Sequence, residues 1–360
     1  MNRHQALRGF NTFRSLLAIC GILLTVVVTG AIVVAQPAPQ ILANGAQWQE
    51  VSRVGRIWAE GVVAAKDGTI YLTDLTRSRA IKENNPRGTI YRYDPATGTT
   101  TKYMEPSGMA NGLHVDKNGD LIIAQDADFG GRAVLRRNLA TGKTVILADS
   151  YEGKRLNAPN DVTSDAQGRI YFTDARYGGD EPIELPNAVY RIDPGGKLTR
   201  LATDIFRPNG IEVSADGRRL YVAACNSTML PINPNGPAKD KFGFVNGGIA
   251  VYDLDKNGNV SNGREFFRSS DDLGVDGTAM DTDGNLYVAM HSGNPKAPKS
   301  DIVVISPAGA VLQHLPTPAG NGLTTNLGFG RGADSHSLYV TTSFPWGLYR
   351  IQTVKQGFYQ

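Results

Sequence analysis

Six oxygen-bearing side chains recur in one register along this chain. Glu60, Asn111, Asn160, Asn209, Asp276 and Asn326 each lie eight residues before a marker, which is Gly68, Gly119, Gly168, Gly217, Gly284 or Asp334. Carboxylates and amides brought to a common point repel and desolvate one another unless a cation satisfies them. Oxygen-only ligation selects a hard ion, and two carboxylates, Glu60 and Asp276, balance a divalent charge. Calcium is the first choice because its geometry is permissive, with magnesium or manganese second. A plainer reading competes. Asn-Gly and Asp-Gly are strong turn signals, so Asn111-Gly112, Asn209-Gly210 and Asp276-Gly277 read singly as turns. Glu60 is a poor turn former, however, and Asn160 is followed by Asp161 where a turn would want glycine.

The elements that must position these residues are repeats. A turn followed by an alternating strand appears as KDGTIYLTD, KNGDLIIAQ, AQGRIYFTD, ADGRRLYVA, TDGNLYVAM and, degenerate, ADSHSLYVTT. The markers are spaced by 51, 49, 49, 67 and 50 residues, and each copy is followed by a further strand signal such as TIYRYDPATG or AVYRIDPGG. A unit of several short strands separated by Gly, Asn, Asp and Pro turns fits one propeller blade, and six of them predict an all-β, six-bladed β-propeller. The expected single domain runs over 45–357, after a linker at 36–44. The run following each oxygen-bearing residue is the natural innermost strand, lining the channel. The long fourth interval is an insertion at Asn226 to Gly248, read either as a solvated loop or as a rim over the channel. That insertion and the loop from Arg176 to Asn187 are expected over the mouth. Tyr71, Tyr171, Tyr221, Tyr287 and Tyr339 hold one blade position and read as packing between blades.

Charge and leader bound the function further. The formal charge of +3 comes from three of the 37 basic residues, Arg3, Arg8 and Arg14, in a stretch without acids; without residues 1–35, 34 basic face 34 acidic side chains. No basic run remains for nucleic acid. The basic start, the apolar stretch Ser15–Ala35 and the ending at Ala35 read as a secretory signal cleaved after Ala35, with an uncut membrane anchor as the alternative. The expectation is an exported, periplasmic or secreted monomer with no other membrane contact. Only Cys225 then remains, so no internal disulfide forms, and it reads as a buried strand residue.

The motifs AEGVVAAKDGTIYLTD, APNDVTSDAQGRIYFTD, RPNGIEVSADGRRLYVA and VDGTAMDTDGNLYVA, in this order and spacing, carry a resemblance. The chain resembles the SMP-30/gluconolactonase/luciferin-regenerating-enzyme family of six-bladed propellers over essentially all of its mature length. The resemblance implies a calcium-type ion held by Glu60, Asn160, Asn209 and Asp276, and hydrolysis of a small-molecule lactone, ester or phosphoester. It places the general base or nucleophile at Asp276, and Asn160 contacts substrate in some members. Asn111 is assigned as a substrate-orienting amide. The family's sugar-lactone hydrolases often carry Arg two residues before the Asn160 position, where this chain has Ala158, with Arg155 displaced. That departure weighs against sugar lactones. His114 and His291 are each placed to shuttle a proton, against the commoner role of a hydrogen-bonded structural histidine. A reading of another class is an exported, non-catalytic binding or scaffold propeller with a structural cation.

Overall fold

The computed structural model describes residues 39–53, 58–76, 88–226, 240–269, 273–291, 300–320, 322–343 and 345–359. The leader read in residues 1–35 and the middle of the fourth-blade insertion, 227–239, lie outside them. The chain from Pro39 onward is one compact unit of six four-stranded antiparallel sheets, a six-bladed β-propeller. Five blades use four consecutive strands. The sixth uses Leu323–Phe329, Ser337–Ser343 and Gly347–Gln352, and takes its outer strand from the other end of the chain, Gln49–Ser52. Strands from both ends therefore close the ring. Packing reaches further still, because Ile41, in the segment read as a linker, is fully buried and Leu42 bridges Thr353.

The innermost strands are Ala59–Ala64, Ala110–Val115, Pro159–Ser164, Pro208–Val213, Gly274–Met280 and Leu323–Phe329, and each contacts the next around the axis. Every marker glycine sits in the hairpin between the first and second strands, with φ from +68° to +88°, which only glycine adopts without strain. The carboxylates of Asp165 and Asp281 fasten these turns. Asp165 accepts the backbone N–H of Gln167 and Arg169, both at 3.0 Å, and the Tyr171 hydroxyl at 2.9 Å. Asp281 does the same for Asp283, Asn285 and Tyr287.

The hydrophobic core is not central but divided among the blade interfaces. Six clusters join blades one and two, two and three, and so on round to six and one. The repeated tyrosines serve these interfaces: Tyr339 of blade six packs with Ile70, Leu72 and Tyr93 of blade one, and Tyr171 with Ile211, Val213 and Val222 of blade four. With the apolar side chains committed between blades, the channel is left to the inner strands.

Glycine on the inner strands has a different task from glycine in the turns. A Cβ at Gly112 would stand 2.6 Å from Cα of Asp161 and 2.7 Å from the carbonyl of Asn160, both backbone atoms of the next blade. Gly112→Ala is therefore expected to destabilise the fold by about 1–3 kcal/mol through overpacking. Gly195→Ala, at a turn where an added Cβ meets nothing within 4 Å, is expected to stay within a few tenths. Urea unfolding of the two variants checks this; equal midpoints would remove the argument from close approach.

Candidate active site

Each inner strand carries one extra residue relative to its partner. In blade one Ala59 pairs with Asp74 and Val62 with Leu72, so Glu60 and Gly61 share a β-bulge. The same slip holds Asn111-Gly112, Asn160-Asp161, Asn209-Gly210 and Asp276-Gly277. The Asn-Gly and Asp-Gly pairs are thus bulges within strands, not turns, and their glycines do not have positive φ. A bulge re-aims a side chain and frees a carbonyl. Threonines of the second strands capture those carbonyls from the neighbouring blade: Thr73 donates to Asn111 O at 2.9 Å, Thr173 to Asn209 O at 2.7 Å and Thr341 to Glu60 O at 2.5 Å.

Glu60, Asn111, Asn160, Asn209 and Asp276 line one cavity of about 50 Å³, at the start of the inner strands. Asn326 does not join them. The last hairpin runs seven residues from Phe329 to Ser337 where the others run five, because it contains a 3₁₀ turn at Gly332–Asp334. Counting back eight from Asp334 therefore stops one residue short. Thr325 holds the equivalent place and lines the cavity, while Asn326 lines a second one further along the channel.

A second ring surrounds the first. Leu75, Asp126, Cys225 and His291 each follow the residue paired before the bulge, at the end of the second strand, and all four line the cavity. Three of them lie fifteen residues after the inner-ring residue of their blade, and Cys225 lies sixteen after. The same register count would have found Asp126 and singled out His291. Trp58, Leu323 and Tyr177 complete the wall; Trp58 and Leu323 each lie two residues before the inner-ring residue of their blade, and Tyr177 had no repeat signal.

The polar contacts fix several of these groups. Trp58 Nε1 donates to Glu60 Oε1 at 2.6 Å. His291 Nε2 lies 2.8 Å from Asp276 Oδ2, with both residues buried, and His291 Nδ1 has no partner among the described residues. A proton on Nε2 lets the imidazole donate to the carboxylate and leaves only a lone pair at Nδ1. Tyr177, on the loop that follows the second strand of blade three, donates to the carbonyl of Arg207 at 3.0 Å, just before Asn209. Burial above all, then the charges of Cys225 and Asp276, hold its hydroxyl well above the usual tyrosine range, so it remains a donor. Cys225 is buried at a strand end.

His114 parts company with His291. It lines the second cavity and meets Ser164 Oγ through Nε2 at 2.8 Å. Burial, helped by Arg331, pushes its pKa down to about 3, so it is neutral. Beside it, burial pushes Glu212 up to about 8 and Asp161 up to about 7. Arg155 also stays away from the first cavity; it is exposed and bonded to Asp149 at 3.0 Å and the Gly131 carbonyl at 2.7 Å.

A six-bladed propeller that gathers carboxylates and amides at its inner-strand bulges defines the class of protein. The SMP-30/gluconolactonase/LRE-like region family model matches residues 58–344, and the chain belongs to that family. It is similar to a gluconolactonase of Zymomonas mobilis, 28% identical over 83% of this chain and 80% of that one. It is also similar to the pentonolactonase XacC of Haloferax volcanii, 27% identical over 71% of this chain and 74% of that one. Among solved structures, a gluconolactonase from Xanthomonas campestris superposes with a TM-score of 0.67 at 25% identity, covering 89% of this chain and 96% of that one. A calcium-binding regucalcin from Agrobacterium tumefaciens shares the fold, with a TM-score of 0.63 at 17% identity over 90% of this chain and 97% of that one.

The raised Glu212 carboxyl sets a pH dependence. The folded state keeps the proton up to about 8, whereas the unfolded chain releases it near 4.5. This contribution to stability is full below pH 4.5 and lost as pH rises towards 8. In chelator-treated protein, Glu212→Gln is expected to flatten the fall in unfolding free energy over that window relative to wild type. Denaturant titrations at several pH values measure it, and parallel pH profiles would contradict the assignment.

Proposed function

We propose that this chain is a lactone hydrolase working in the first cavity, with a divalent cation, calcium first and magnesium or manganese second, held by Glu60, Asn160, Asn209 and Asp276. The observation that carries the reading is the convergence of five oxygen-bearing side chains from five blades on one cavity, with a buried histidine bonded to one of the carboxylates. The relatives named gluconolactonase and pentonolactonase support the reaction class. Among the described residues no group of three or more His, Cys, Asp and Glu side chains is arranged to hold a metal. The donor set here relies on asparagine oxygens instead, and two carboxylates with amide oxygens in a cavity of this size fit a hard cation with water.

When bound, the cation would polarise the lactone carbonyl and favour the negative charge that develops on its oxygen. The protein's own groups do the rest. Asp276 accepts the proton of the attacking water as the new C–O bond forms at the carbonyl carbon. The ring C–O bond then breaks, and the proton passes to the leaving alkoxide, giving the hydroxy acid. His291 holds Oδ2 of Asp276, leaving the other oxygen for the cavity; it positions the base. Asn111 orients the substrate, and Trp58 fixes one oxygen of Glu60. With Ala158 where sugar-lactone hydrolases often carry Arg, we favour lactones other than sugar lactones. From its leader we further read the chain as exported, with an uncut membrane anchor as the alternative, and we take it to act as a monomer.

Asp276→Asn is expected to lower kcat by about 10²–10⁴-fold, the usual range for losing a general base. His291→Gln, which can still donate, is expected to lose less than His291→Ala. Full activity in Asp276→Asn with metal still bound would contradict the role of Asp276. The binding-module reading is tested by hydrolysis of a panel of aliphatic and sugar lactones with and without chelator. Turnover that chelator abolishes is expected; no chelator-sensitive turnover on any of them would favour a non-catalytic propeller.

A further inference from the structure

Further along the inner strands the channel holds a second cavity of about 60 Å³, lined in part by Phe358 and Tyr359. Phe358 is tied by its N–H to the Met280 carbonyl at 2.9 Å, and Arg331 stacks on the Tyr359 ring at 3.8 Å behind the cavity wall. Four blades place glycine second in the bulge, but blades three and six place Asp161 and Asn326 there, and both line this cavity. Glu212 lines it too, accepting from the Thr163 hydroxyl at 3.1 Å. The next position of the inner strands is aliphatic in five blades, at Val62, Leu113, Val162, Ile211 and Leu327, and is Thr278 in the fifth. Thr278 lines the cavity, the residue is only 8% exposed, and its buried hydroxyl oxygen has no hydrogen-bond partner among the described residues. A buried hydroxyl left unpaired is costly, so a threonine in an aliphatic row points to something it binds.

We propose that this second cavity is a binding site for a hard metal cation, ligated by Asp161, Glu212, Asn326 and Thr278. The donors are all oxygens, and two of them are carboxylates. The space is too small for an organic ligand and sufficient for an ion with a water or two. The four ligands come from blades three, four, five and six, so the ion staples inner strands that share no sheet. The site is separate from the lactone-hydrolysing cavity and does not rest on that reading.

Calcium chloride is the probe, titrated calorimetrically into full-length protein stripped with chelator, with thermal unfolding followed in parallel. Wild type is expected to bind two ions per chain and to gain Tm. Glu212→Gln and Thr278→Val, which keep side-chain volume, are each expected to lose one ion and most of the associated gain in Tm, while Glu60→Gln loses the other ion. Circular dichroism confirms that the variants fold; should Glu212→Gln not fold, Thr278→Val alone decides. Wild-type stoichiometry and Tm gain in the folded variants overturn the proposal. A single wild-type ion lost in Glu60→Gln and kept in Thr278→Val overturns it and leaves the first site standing. A single ion lost in Thr278→Val and kept in Glu60→Gln supports it and removes the metal from the active-site reading. No calcium binding at all overturns both.

Discussion

The structure depends on how closely six strands can approach one axis. The inner strands meet edge to edge, and each accommodates the crowding by inserting one residue into its ladder. The bulge has two consequences that cannot be separated. Its first residue turns its side chain into the channel, and in four of the six blades its second yields space, where Gly61, Gly112, Gly210 and Gly277 lie against the backbone or side chain of the next blade at distances no Cβ could share. The site is therefore made by the same deformation that lets the ring close.

Closure and site are also linked through hydrogen bonds. Thr325 and Thr341 of the last blade donate to the carbonyls of Ala59 and Glu60 in the first. The strand Gln49–Ser52 holds that last blade from outside, so the seam where the chain ends meet is also where Glu60 is set. Threonine occupies the capturing position in blades one, three and six, and alanine in blades two, four and five. Half of the bulges are thus clamped by a side chain of the preceding blade. The interface clusters supply the burial that makes the arrangement stable, and the clamps supply its register.

Much of this was legible because a repeat writes the same physics several times. One Asn-Gly pair is ambiguous; five oxygen-bearing residues at a fixed distance from a turn are not, and the structure brings Glu60, Asn111, Asn160, Asn209 and Asp276 to one cavity. Asn326 misled because two extra residues in its hairpin shift the frame while leaving an amide in the counted place. His114 and His291 look alike when each is read as a lone histidine near an inner-ring residue; in the sequence only the fifteen-residue register shared with Leu75 and Asp126 sets His291 apart. What separates them is the strand: His114 follows the bulge on an inner strand, and His291 ends a second strand opposite one. Tyr177 lies on a loop outside the repeating register, so no counting finds it, and Trp58 shares its place, two residues before the inner-ring residue, with only Leu323 among the residues that line the cavity.

The channel is consequently divided along its length by chemistry rather than by a wall. At the strand starts lie Glu60, Asp276 and three asparagines, with His291 already bonded to one carboxylate. Past the bulge lie aliphatic side chains interrupted by Asp161, Glu212, Thr278 and Asn326. Carboxyl groups so buried must hold a proton, accept hydrogen bonds or face a cation, and the protein meets the second demand visibly: backbone N–H groups of Val162 and Val213 reach Asp161 and Glu212 at 2.9 and 3.0 Å. Burial above all raises the pKa of Asp161, the residue that stands in place of glycine after the bulge, and the charge of Asp276 across the bulge adds a smaller push in the same direction. A change of charge at Asp276 is therefore felt at Asp161, on the other side of the bulge.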